Sequence, residues 1–229
     1  YLKNIPSQEQ FIDLGWKDLS MGTSRSKSSQ PFDYDAIKSA NPKNIEKILS
    51  ANLTLMAKCG LIVRYCTLCG DDVSVWKNLS TEEKSKRLSD ASKLVAYLLD
   101  NEYQPEVQVI PLDKWEDKGA GGLCCDGGKL IKYREDCCDS YDWTITAICH
   151  ECYHGFQHTL VNNGWKDWHW EELGVTKNRI PEWKYNFEHY EGKTSSVNYK
   201  REIVECDARA FERDCVERSS GIWNTIDLE

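Results

Sequence analysis

The chain has 229 residues, 40% of them hydrophobic and 29% charged, which is ordinary for a globular protein with one folded domain. Its net charge of −8 and pI near 5.3 argue against a nucleic-acid surface, because binding phosphates needs a basic face. No run of about 18 apolar residues occurs, so no segment is expected to span a membrane.

Residues 1–34 are polar and irregular, and the serine-rich stretch from Ser20 to Ser29 reads as a flexible lead-in. A chain that starts at Tyr1 rather than Met fits a trimmed leader; a cytoplasmic location is expected, with export left open. Residues 35–104 read as a helical N-terminal part. From Asp35 to Tyr65, Ile37, Ile45, Ile48, Leu49, Leu53, Met56, Leu61 and Ile62 recur at helical spacing. Ser80-Thr-Glu-Glu83 has the form of a capping box and predicts a second helix through Leu98 or Leu99. Neither helix carries a chemical signature, and both read as scaffold.

Eleven cysteines, an odd number, leave at least one thiol free. The neighbouring pairs Cys124-Cys125 and Cys137-Cys138 cannot bridge internally without strain. Cys66-Thr-Leu-Cys69-Gly70 resembles half of a zinc knuckle, but no second pair at matching spacing follows it. Reduced, half-buried thiols are therefore the expectation, with disulfides in an exported protein as the alternative.

Residues 105–229 carry the chemistry. Val107 to Ile110 reads as a strand ended by Pro111. Gly122 to Cys125, a turn at Asp126-Gly127-Gly128 and Lys129 to Tyr133 make a strong hairpin signal. Asp139, Ser140 and Asp142 are candidate caps for the helix that follows. At about 100° per residue, Ile145, Ile148, Cys149, Cys152 and Phe156 form one apolar stripe. His150 and His154 fall on the opposite side beside small Ala147, which predicts one face on the core and one facing a cleft.

That second face reads His150-Glu151-Cys-Tyr-His154. Two imidazoles one helical turn apart can grip a single metal ion, and the glutamate between them projects near the ion's open side. There it can take a proton from a bound water. A catalytic zinc site needs a third protein ligand and leaves the fourth position for water. His158, one further turn along, is awkward as that ligand because the ion sits between the first two rings. The better source is the segment from Asn198 to Phe211, which reads as a helix and offers Glu202 and Glu205; a carboxylate from a second helix completes a standard His2Glu set. The bland alternative for Glu205 is an ion pair with Arg209 on a solvated face.

Glu205-Cys-Asp207-Ala208-Arg-Ala-Phe211 after His-Glu-x-x-His resembles the compact gluzincin-type zinc metallopeptidases. The resemblance is closest to the small ImmA/IrrE-like and phage- or mobile-element-associated enzymes, and it covers roughly residues 105–216. It implies Glu205 as third ligand, Ala208 as the small residue that lets two helices approach, and Phe211 as core. Gln157 and Leu160 stand where the metzincin pattern needs Gly and His, and no Glu-x-x-x-Asp of the thermolysin kind starts at Glu202. The order of helices, small sheet, His-Glu helix and glutamate helix is that of a minimal zincin core, so the expected class is α+β. In such enzymes an edge strand beside the active helix holds the substrate backbone, here part of the 122–134 hairpin.

Between the two motifs lie Trp165, Trp168, Trp170, Trp183, Tyr185, His189, Tyr190 and Tyr199, read first as core and alternatively as a substrate wall or lid. His169, His189, Tyr190 and Tyr199 are the candidates for stabilising an oxyanion, and the sequence does not choose among them. The expected activity is peptide-bond hydrolysis with one zinc per chain, a peptide or protein substrate, and Glu151 as general base. The competing readings are a catalytically weak or inactive zincin-fold regulatory or metal-binding module, and a thiol-based metal-handling protein.

Overall fold

A computed structural model describes residues 37–69, 72–116, 119–166, 172–189 and 202–225. The protein is mixed α+β, with seven α-helices and one three-stranded sheet among the described residues. The flexible lead-in expected over residues 1–34 lies outside them.

Helix α1 (Pro42–Ser50) starts where the Asn41 side chain accepts from Lys43 N–H, and Pro42 takes a first-turn position that needs no donor. Helix α2 (Leu55–Leu68) starts at Thr54, whose hydroxyl accepts from Ala57 N–H. The helical stretch expected from Asp35 to Tyr65 is therefore two helices, because Ala51 to Thr54 leave the ladder and Thr54 caps a new one. The half-knuckle is the end of α2. Cys66 is fully buried, and Cys69 adopts φ 54° and donates its thiol to the Ser39 carbonyl at 2.9 Å. After the short α3 (Val73–Trp76), α4 (Thr81–Leu98) opens on the expected cap, with Ser80 Oγ accepting from Glu83 N–H.

Strands β1 (Glu106–Ile110), β2 (Gly122–Cys125) and β3 (Leu130–Arg134) follow, with β3 central, parallel to β1 and antiparallel to β2. The hairpin turn runs through Asp126, Gly127 and Gly128 at φ 50°, 65° and 96°, a left-handed run that only glycine-rich sequence tolerates. Ile131 and Tyr133 alternate inward from β3 and are buried, and the Tyr133 hydroxyl meets Ser92 Oγ of α4 at 3.1 Å.

Helix α5 (Tyr141–Asn163) is capped by Ser140, and it ends at Gly164, φ 84°. The expected stripe of Ile145, Ile148, Cys149, Cys152 and Phe156 is buried, but so are Thr144, Tyr153 and Gln157 on other sides. The helix does not lie with one face open. It runs through the middle of the molecule, enclosed by α2, α4, β2, α6 (Arg179–Glu188) and α7 (Ile203–Ser220). Two glycines set this packing on the sheet side. A Cβ on Gly122 would lie 2.6 Å from Glu151 Oε1, and one on Gly128 would lie 2.9 Å from the Gly155 Cα, so the start of β2 and the turn after it rest on one face of α5. Helix α7 is held from the other side: Arg179 and the Trp183 indole N–H both donate to Asp207. Gly60 of α2 admits it closely, since a Cβ there would meet the Cys215 carbonyl at 2.2 Å. One hydrophobic core extends from Ile37 to Cys215. No helix among the described residues is long and apolar enough to cross a membrane.

Candidate metal centre

His150 and His154 sit one turn apart on α5, and Glu205 reaches them from the first turn of α7. The two Nε2 atoms are 3.1 Å apart; Glu205 Oε2 lies 3.3 Å from His150 Nε2, and Oε1 lies 3.3 Å from His154 Nε2. These three residues form the one group among the described residues whose ligand atoms lie close enough together to share a metal ion. Nitrogen and oxygen ligands bind zinc at about 2.0–2.2 Å, so neighbouring corners of a zinc tetrahedron are about 3.3–3.6 Å apart. The two nitrogen–oxygen spacings, one to each Glu205 oxygen, match that edge, and the 3.1 Å nitrogen–nitrogen spacing is slightly shorter.

The proton positions around the rings decide what the cluster wants. Gln157 Nε2 donates to the Val204 carbonyl at 3.0 Å, so its Oε1 must be the atom 2.8 Å from His154 Nδ1, and that nitrogen carries the hydrogen. Likewise His150 Nδ1 lies 2.8 Å from Glu212 Oε2, an acceptor only, and must be the donor. Both Nε2 atoms therefore turn lone pairs toward each other and toward a carboxylate. Two ring nitrogens and a carboxylate this close together can share one cation, a metal ion or a proton. Burial pulls the His150 imidazole down, but the Glu205 and Glu212 carboxylates more than offset it and push it up to about 10. Burial alone would raise the Glu205 carboxyl, yet the two imidazoles hold it well below the usual carboxylate range.

Glu151 occupies the next position on α5 and is 6% exposed. Burial pushes its carboxyl up against the pull of His150 and His154. A desolvated carboxylate with raised basicity is chemically able to accept a proton near neutral pH.

Glu205 also accepts from Arg209 at 3.4 Å, so the ion pair of the bland reading exists, but on a face where Glu205 is 1% exposed. Glu202 is the N-cap residue of α7 and stands outside the cluster. His158 points elsewhere, its ring stacked on Phe187 with centroids 3.9 Å apart; burial and then the His154 charge lower it to about 4. Ala208 is fully buried, and Phe211 stacks on Tyr153 at 4.7 Å. Of the oxyanion candidates, His189 stacks on Tyr185 and donates Nδ1–H to its carbonyl, while His169, Tyr190 and Tyr199 lie outside the described residues. Trp183 is fully buried core, and Trp165 donates to the Val175 carbonyl; Trp168 and Trp170 also lie outside the described residues. All eleven cysteines are free thiols.

Gln157 and Glu212 were not marked by sequence reasoning. Gln157 entered it only as a departure from a pattern. Glu212 lies seven residues after Glu205, two turns along the same helix face, and that spacing was the available signal.

No protein-family model matches this chain, and no curated protein or solved structure is detectably similar to it.

Proposed function

We propose that this chain is a zinc-dependent metallopeptidase built on a minimal zincin-like core, with zinc held by His150, His154 and Glu205. The observation that carries the reading is the convergence of two imidazole lone pairs and a buried carboxylate within 3.1–3.3 Å, beside a buried Glu151. Zinc bound in such a set lowers the pKa of a water in its open position to about 7 and polarises a carbonyl.

The chain's own residues supply the rest. Glu151 accepts the proton of the attacking water, then delivers it to the nitrogen of the leaving amine. Its carboxylate sits under the backbone of Gly122, at the start of β2, and β2 is an outer strand of the sheet. An extended peptide added along that edge would bring its scissile amide to Glu151 through main-chain hydrogen bonds. The substrate class is therefore a peptide or protein in extended conformation.

Zinc content by mass spectrometry on tag-free protein, together with peptide-library digestion by the wild type and Glu151→Gln, tests the reading. One zinc per chain, with cleavage that disappears in the variant, supports it. Cleavage retained by Glu151→Gln would sink it, as would metal-replete protein that carries no zinc.

A further inference from the structure

The two histidines differ in what holds their outer nitrogens. His154 donates Nδ1–H to a neutral amide oxygen, Gln157 Oε1, which a bond to the Val204 carbonyl fixes in turn. His150 donates Nδ1–H to a carboxylate, Glu212 Oε2, at 2.8 Å. A hydrogen bond to an ionised acceptor is roughly twice as strong as one to a neutral acceptor, and it raises the electron density at the other ring nitrogen. Glu212 stands on the same face of α7 as Glu205, so one helix contributes both a ligand atom and the group that aims a second ligand.

We infer that Glu212 is the positioning residue of the site: it fixes the His150 ring with Nε2 toward the metal and makes His150 the stronger of the two nitrogen donors. The inference rests on the metal site proposed above. Glu212 is not one of the three converging donors, and its hydrogen bond into the site is the one to His150. Its side chain is 23% exposed, so its replacement leaves the core intact, unlike that of fully buried Gln157. Asp214, two residues on, bonds Arg213 and Arg218 and makes no contact with either histidine, so it serves as a control for loss of one negative charge from α7.

The experiment measures zinc affinity at constant pH, by competition with a chromophoric chelator, for the wild type, Glu212→Ala, Glu212→Gln and Asp214→Asn. Thermal unfolding of each zinc-free protein is recorded in parallel. Glu212→Ala is expected to bind zinc about 10- to 100-fold more weakly. Glu212→Gln, which keeps an acceptor for Nδ1–H but loses the charge, should fall between it and the wild type, and Asp214→Asn should match the wild type. Folded Glu212→Ala with affinity within about twofold of wild type overturns the inference, as does an equal loss in Asp214→Asn. Should Glu212→Ala fail to fold, Glu212→Gln carries the comparison: wild-type affinity there overturns the inference, and a clear loss supports it. Wild-type protein that binds no zinc is a different failure, which removes the metal site itself.

Discussion

Gly122 lies over Glu151 so closely that a single methyl group on it would stand 2.6 Å from the glutamate's Oε1. The start of β2 and the candidate base thus share one volume, and the smallness of residue 122 is what lets the carboxylate occupy it. The atoms met are the end of a flexible side chain rather than backbone, so the fold can give way by turning Glu151 aside. Gly122→Ala should therefore leave zinc content and melting temperature near wild type while lowering kcat by about 10²-fold, the order expected when a reacting group is misplaced by about 1 Å. Steady-state kinetics beside metal analysis checks this, and loss of zinc together with activity would contradict it.

Glu151→Gln removes the proton acceptor without changing its shape. Turnover should fall by at least about 10²- to 10⁴-fold with one zinc still bound, read by peptide cleavage and mass spectrometry on the same preparation.

Glu205 and Glu202 are separated by one experiment. Glu205→Gln and His154→Ala should each lose zinc, whereas Glu202→Gln should retain it, because Glu202 stands at the N-cap position of α7, outside the His150–His154–Glu205 group. Zinc retained by Glu205→Gln would move the third ligand elsewhere.

The pH dependence of metal binding follows from His150. Its folded pKa is raised from 6.5 to about 10 in the metal-free chain by the Glu205 and Glu212 carboxylates, against burial. At pH 7.5 the ring is therefore protonated, and zinc must displace that proton to reach Nε2. Zinc affinity should rise by about tenfold per pH unit from neutrality toward pH 10, with about one proton released per zinc bound. Calorimetry in buffers of different ionisation enthalpy measures the release; binding without it would contradict the arrangement.

Much of the site could be read from sequence because its spacing is local. His150, Glu151 and His154 fall within one turn and a residue, Ser80 and Ser140 are caps written in a few letters, and the Asp126-Gly127-Gly128 turn needs left-handed backbone. Glu205 was legible as one of two choices; only the packing of α7 on α5 separates it from Glu202. What stayed hidden depends on contacts far apart in the chain. The helical stretch from Asp35 to Tyr65 is divided by a cap at Thr54, whose hydroxyl has no distinguishing neighbour in sequence. The enclosure of α5 on most sides follows from α2, α4, α6 and α7 meeting around it, which a single-helix apolar stripe cannot report. Gln157 shows the same limit: its amide orients His154 only because Val204, far along the chain, offers a carbonyl.

The contact between α2 and α7 is equally specific. A methyl group on Gly60 would stand 2.2 Å from the Cys215 carbonyl, a backbone atom that cannot swing aside. Gly60→Ala should cost about 1–3 kcal/mol of stability, the usual range for overpacking, even though alanine is the better helix former. Chemical denaturation of the two proteins provides the comparison.

The central placement of α5 also governs how firmly the segment that carries His150 and His154 is held. Amide hydrogens of a helix enclosed on most sides exchange with solvent mainly through global opening, so the segment bearing both histidines belongs to the last part of the molecule to loosen. In this chain Ile148, Phe156, Trp183 and their neighbours form the buried core packed around that helix. The backbone that carries His150 and His154 is thereby held in register for as long as the chain stays folded.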